Sequence, residues 1–359
     1  MKMDIQTPAR RRRRTGPRIL LGVLLLAGLL AAAHAALWQF MASQLESGFA
    51  AWVQVRRAQG WRVEHAPPVR GGWPFSATLG LGAVRVEGGA ATIPGGFAFA
   101  SDRVVLRVTP PRLERLLVEF TGPGRLRLGA ADLPFAADSL VAALPLERDT
   151  PPGSAEVSAE RLRIGTPGGA LELRRGTLEL TGSSSATEGE AALTVALAAE
   201  EVDLPAAPAG RAGTAFGRRI ASLAADLSVT GPIPPGRQPA ARAEAWRDGG
   251  GTMELRSLTL RWGPVGAAVA ATLALDEGLQ PMGAGTLRLT GAGEALDALA
   301  EAGVVGRRAA ATARTVLPLL SRPSAESGAP EVEVPVTLED RTLAVARIPV
   351  TRLPAWGWP

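Results

Sequence analysis

Residues 70–86, "RGGWPFSATLGLGAVRV", decide the reading of the rest, because their apolar side chains fall on every second position. Phe75, Ala77, Leu79, Leu81 and Ala83 share one side, and Ser76, Thr78, Gly80 and Gly82 share the other. That is the period of a strand with one buried face. After Gly82 the apolar parity moves to Val84 and Val86, which predicts a bulge or a strand break at the glycines. Pro74 lacks an N–H and is tolerated at a strand start, where it also holds Trp73 extended. Gly71 and Gly72 allow a sharp turn into this strand. On this reading Trp73 and Phe75 plug the end of a core that Leu79 and Leu81 line. The four form a candidate apolar motif or groove, with ligand stacking on Trp73 as the alternative role for that ring.

The same two-residue rhythm recurs to the end of the chain, for example in "RVVLRV", "LELRRGTLEL", "AALTVALAAEEVDL" and "TMELRSLTLRW". Short runs of this kind, separated by Gly, Pro, Asp or Ser, predict antiparallel sheet with one apolar face. The fold class is therefore mainly β with minor α. An N-terminal transmembrane helix precedes large, curved antiparallel sheet and a few covering helices. Residues 61–359 form the β-rich body, with 205–213 the candidate junction between two halves. Residues 293–320 read as helix, weakened at Gly303 and Gly306 and ended or kinked by Pro318. A hairpin turning at Glu339–Asp340 follows.

Upstream, Ile19–Phe40 holds 22 residues without a formal charge. As a helix it would run about 33 Å, enough to cross a bilayer core. Residues 1–18 form a basic tail in which Arg10–Arg14 are consecutive, which favours a cytoplasmic N-terminus and an exported, periplasmic body. Ala33-His34-Ala35 offers the alternative of a cleaved signal, but the apolar run continues through it and favours an inner-membrane, single-pass anchor. In residues 41–60, Leu45, Phe49, Trp52 and Val53 make an amphipathic helical stripe, with Ser43 available as N-cap and Gly60 as stop.

Composition narrows the function. The chain has no Cys, Tyr or Asn, and its single Lys is Lys2. Disulfides, thiolate metal sites, thiol catalysis and a P-loop lysine are thereby excluded. The net charge of +5 resides in the tail: residues 1–18 carry +6, so the remainder sums to about −1. A phosphate-binding face needs clustered cations, so no nucleic-acid partner is expected. Gly291-Ala292-Gly293 precedes a helix without a third glycine and reads as helix entry rather than a phosphate loop. His65 is the sole histidine outside the apolar segment and has no triad partner at motif spacing. Scattered Trp and Phe do not make the two girdles of a membrane β-barrel.

The order of features resembles an uncharacterised family of exported proteobacterial proteins, domain of unknown function twenty-one twenty-five. The resemblance is carried by the apolar start, Gly60-Trp61, the Gly72-Trp73-Pro74-Phe75 step and Asp203-Leu204-Pro205. Residues 216–234, 245–264 and 271–289 also carry it. More distantly, an anchor followed by Leu-x-Leu meanders is similar to the AsmA-like envelope proteins, which implies outer-membrane biogenesis and carriage of lipid along an apolar sheet. The nearer family has no established activity, so the resemblance implies no catalytic residue. The expectation is a non-catalytic envelope protein without cofactor, partnered by the bilayer through its anchor and by phospholipid acyl chains or envelope proteins. A closed β-sandwich serving as scaffold or protein-binding module, and an anchored carboxylate-dependent hydrolase, are the alternatives.

Overall fold

A computed structural model describes residues 16–89, 96–146, 153–205, 213–236, 238–303, 306–323 and 329–358. The arginine run and the centre of the 205–213 stretch lie outside these residues. The chain begins with one helix, α1 (Gly16–Ala58), of 43 residues, about 64 Å long. The sequence suggests two helices here, parted near residue 40 and capped at Ser43. No Pro or Gly interrupts residues 29–47, however, and the Ser43 hydroxyl donates back to the Phe40 carbonyl at 2.8 Å. A serine bonded in this way sits within a helix rather than capping one. The stop at Gly60 does form. Gly60 has φ +83°, with the Trp61 N–H donating to the Arg56 carbonyl (3.0 Å) and the Gly60 N–H to that of Arg57 (2.9 Å). This is a Schellman cap, whose left-handed residue is usually glycine.

Among the described residues the body is a single antiparallel sheet of eighteen strand segments. At one edge β1 (Arg62–Glu64) and β2 (Val69–Gly71) both pair with β3 (Ala77–Gly88). Next come β4 (Phe97–Thr109) and β5 (Arg112–Leu128), then β6 (Ala131–Ala136) and β7 (Ser139–Pro145), which together act as one interrupted strand between β5 and β8 (Ser154–Thr166). The meander continues through β9 (Gly169–Gly182), β10 (Ala191–Asp203), β11 (Arg219–Thr230), β12 (Met253–Trp262), β13 (Val265–Leu275) and β14 (Pro281–Thr290). Each of these pairs with its predecessor. β16 (Pro330–Glu339) lies beside β14, and its other side takes β15 (Ser321–Pro323) and β17 (Thr342–Val345), the last followed by β18 (Ile348–Arg352). Because Asp203 of β10 pairs with Arg219 of β11, the sheet runs unbroken past the 205–213 stretch.

The parity change read at residues 82–84 is one point of a crease that crosses the sheet. Ala83 has φ +47°, Gly122 +84°, Arg161 +46° and Glu201 +49°. These lie in β3, β5, β8 and β10, the alternate strands that run in one direction. The registers place all four in one cross-strand row with Asp102, Asp138 and Arg174. Asp138 is ion-paired with Arg161, and Arg174 with Glu201. At the crease two successive residues face the same side, as Asp102–Arg103, Glu160–Arg161 and Arg174–Arg175 do, all exposed. Apolar parity then resumes one position on, so the apolar side stays on one face of the sheet throughout.

Among the described residues, three further helices of ten residues or more accompany the strands. α2 (Pro239–Asp248) links β11 to β12 in a region whose prolines and glycines read as loop. Pro239 opens it, a position where the missing N–H costs nothing, and its Trp246 indole donates to the Thr230 carbonyl at 2.9 Å. The predicted 293–320 helix is two, α3 (Ala292–Glu301) and α4 (Arg307–Leu320), parted around Gly303 at φ +69°. Pro318 lies inside the last turn of α4. Asp340 and Arg341, both left-handed, make the tight turn expected between β16 and β17.

The sealed core lies where α1 crosses β3. Leu45 of α1 packs with Leu79, Leu81, Val84, Val104 and Val108, all buried, and Phe49, Val86, Leu106 and Phe120 close around them. Burying a leucine completely stabilises the fold by roughly 1.5–3 kcal/mol.

Candidate functional site

The four residues singled out in the sequence part company in space. Leu79 and Leu81 are 0 % and 2 % exposed and belong to the core under α1, so they line no groove. Trp73 and Phe75 do not plug that core: they stand outside it, 52 % and 82 % exposed. The reason is a docking contact that local pattern cannot show. Gly72, at φ +89°, turns the loop toward α1, where His34 Nε2 lies 2.7 Å from the Pro74 carbonyl and the Trp38 indole donates to the Ser76 carbonyl at 2.9 Å. A carbonyl only accepts, so His34 donates from Nε2. The Trp73 ring lies 5.2 Å from the His34 ring and meets Trp38 edge-on at 5.7 Å.

The other chemical candidates have structural roles. His65 contacts the Ala66 carbonyl through Nδ1 (2.8 Å) and lies edge-on to Phe49. Gly291, at φ +70°, opens α3, and a Cβ there would meet the Pro264 carbonyl oxygen at 1.9 Å, so close backbone approach explains the glycine. Among the described residues no group of three or more His, Asp or Glu side chains is placed to hold a metal ion. Carboxylates on the polar face instead meet arginines across strands, as in Arg107–Glu119 and Arg175–Glu200, each at 2.7 Å. Arg219 donates twice to Asp203, Nε to Oδ1 at 2.9 Å and Nη2 to Oδ2 at 2.8 Å, which holds that carboxyl below the ordinary aspartate range.

The largest organised feature is the apolar face of β8 to β16. Val157, Leu178, Leu197, Ala225, Leu258, Val269, Leu287 and Val334 stand directly opposite one another in turn, one residue from each strand. A parallel row runs through Leu180, Val195, Leu227, Leu255, Ala271 and Val336, and another through Ala199, Leu223, Leu260, Ala267, Leu289 and Val332. Seven spacings of about 4.8 Å give each full row a length of about 34 Å. An acyl chain reaches about 15 Å, half of a ~30 Å hydrocarbon core.

This face is not sealed as the α1 core is. None of the leucines from β8 to β14 is buried, and Leu197 is 38 % exposed. The main helix contacts fall on β1, β3, β13 and β16. Among the described residues the main helix contacts leave out β8 to β12, and an apolar surface left part-open in this way marks a place where another apolar body binds. The sequence showed the alternation that makes the face, but a strand pattern carries no sign of what lies above it.

Fold and face together define a class: a long antiparallel meander with sorted polar and apolar faces, carried on a helix long and apolar enough to cross a membrane. Within that class, the family described as "uncharacterized protein conserved in bacteria (DUF2125)" matches residues 38–354, and the chain belongs to it. No curated protein and no solved structure matches the chain.

Proposed function

We propose that this chain is a non-catalytic, inner-membrane-anchored protein of the cell envelope, with its β body in the periplasm, that holds or conveys phospholipid acyl chains on its apolar sheet face. The observation that carries the proposal is the half-open row Leu178–Leu197–Ala225–Leu258, which faces away from the ion-paired side and has no leucine buried within it. Chains laid on it would remove apolar surface from water at about 25 cal/mol per Å². The arginine run ahead of α1 supports an exported body, and the more distant resemblance to AsmA-like envelope proteins points to lipid as the ligand.

Native mass spectrometry of the full chain, extracted from its membrane in mild detergent, tests the reading. Phospholipid adducts that persist after the detergent is stripped are expected. A lipid-free protein under conditions where the sheet remains folded would overturn the proposal.

A further inference from the structure

α1 and β3 run parallel, which fixes the end of the sheet that faces the apolar helix. Trp38 is level with Ser76 at the start of β3, whereas Arg57 donates to the Val63 carbonyl (2.6 Å) near the end of β3. Residues 20–36, all exposed, therefore extend beyond the rim formed by the start of β3, the β4–β5 turn and the end of β7. That rim carries large apolar side chains turned outward: Trp73, Phe75, Leu113 and Leu146 are all exposed. Leu146 is tied to the neighbouring turn by its N–H, which donates to the Glu114 carbonyl at 2.6 Å. Exposed Arg112 stands beside Leu113. Loops that present Trp, Phe and Leu to water at the point where an apolar helix emerges have the composition of a membrane interface, and an adjacent arginine suits anionic headgroups.

We propose that Trp73, Phe75, Leu113 and Leu146 form a seat on the phospholipid bilayer, inserted at headgroup level beside α1, which holds this rim of the sheet against the membrane. The seat rests on α1 crossing the bilayer. It would set the first strands at the lipid surface, at one end of the meander whose later strands carry the open face.

The native chain has no cysteine, so one introduced thiol reports one place. Full-length Phe75→Cys, Leu113→Cys, Leu25→Cys and Arg85→Cys variants, each carrying an environment-sensitive fluorophore, are reconstituted in phosphatidylethanolamine–phosphatidylglycerol vesicles. Nitroxide-bearing lipids and aqueous iodide serve as quenchers. Phe75 and Leu113 are already exposed, so their replacement leaves the core intact. The labels at 75 and 113 are expected to be quenched by shallow nitroxide lipid at least about twofold more than the label at 85, and to be shielded from iodide. Labels at 75 and 113 that iodide reaches as freely as position 85, while position 25 responds to lipid, would overturn the seat alone. A label at 25 that iodide reaches freely would overturn the membrane crossing, and the seat with it.

Discussion

Two sectors of one sheet share the same two-residue pattern and meet different ends. In β3 and β4, Leu79, Leu81, Val104 and Val108 point into a core closed by Leu45 and Phe49 of α1. In β9 to β12, Leu178, Leu197 and Leu258 point to the same kind of face and keep part of their surface open. The strands do not differ in sequence logic. What differs is the supply of helix: α1 reaches β1 and β3, and the C-terminal helices reach β13 and β16. Alternation creates an apolar face, but only another element, or a ligand, covers it.

That contrast can be broken by truncating one leucine in each sector. Leu79→Ala removes a fully buried side chain from a packed site, so it should lower the unfolding free energy by about 2–5 kcal/mol in urea titrations. Leu197→Ala should cost about 1 kcal/mol, because its side chain is already partly outside. Equal losses at the two positions would mean that both sectors are sealed.

The cover of the first sector can also be probed at its hinge. Gly60 sits at φ +83°, and a methyl group added there would find nothing within 4 Å. Gly60→Ala therefore meets conformational cost alone, about 1 kcal/mol. It should loosen the end of α1 and raise amide exchange in β1 and β3, while the β9–β12 amides stay unchanged.

The smallest effect belongs to the polar side. Asp203 is depressed below its ordinary range by Arg219, so the stability it contributes is present above the unfolded aspartate pKa of about 3.9 and is lost as pH falls through the lower folded value. The Arg219 side chain is largely exposed and that of Asp203 more than a third so, which screens the pair. Asp203→Asn should lower the urea midpoint slightly at pH 7, and the difference from the native chain should shrink on acidification toward pH 2.

Much of this was legible in the sequence. The alternating runs became strands and the glycine at 60 serves as read, while the turn expected at Glu339–Asp340 falls one residue on, at Asp340–Arg341. The parity change after Gly82 became the crease at Ala83, and the same crease is written elsewhere as charged doublets that interrupt alternation: Asp102–Arg103, Glu160–Arg161, Arg174–Arg175 and Glu200–Glu201. Those doublets were the unused signal. What stayed hidden depended on distant parts meeting. The carbonyls of Pro74 and Ser76 are claimed by His34 and Trp38, some 40 and 38 residues away, which turns Trp73 and Phe75 outward rather than into the core. α2 was missed because Pro239 and the glycines at 249–251 mark its two ends yet read locally as loop. The open face was unreadable because cover is a property of packing and not of a strand.

The most direct test places a photo-crosslinking residue at Leu197 and, separately, at Ala198, which neighbour each other on opposite faces and are both exposed. In cells fed radiolabelled phospholipid precursors, irradiation should attach label to the chain from position 197 and leave 198 unlabelled. Equal labelling at both positions, or none at 197, would contradict an apolar face that takes lipid.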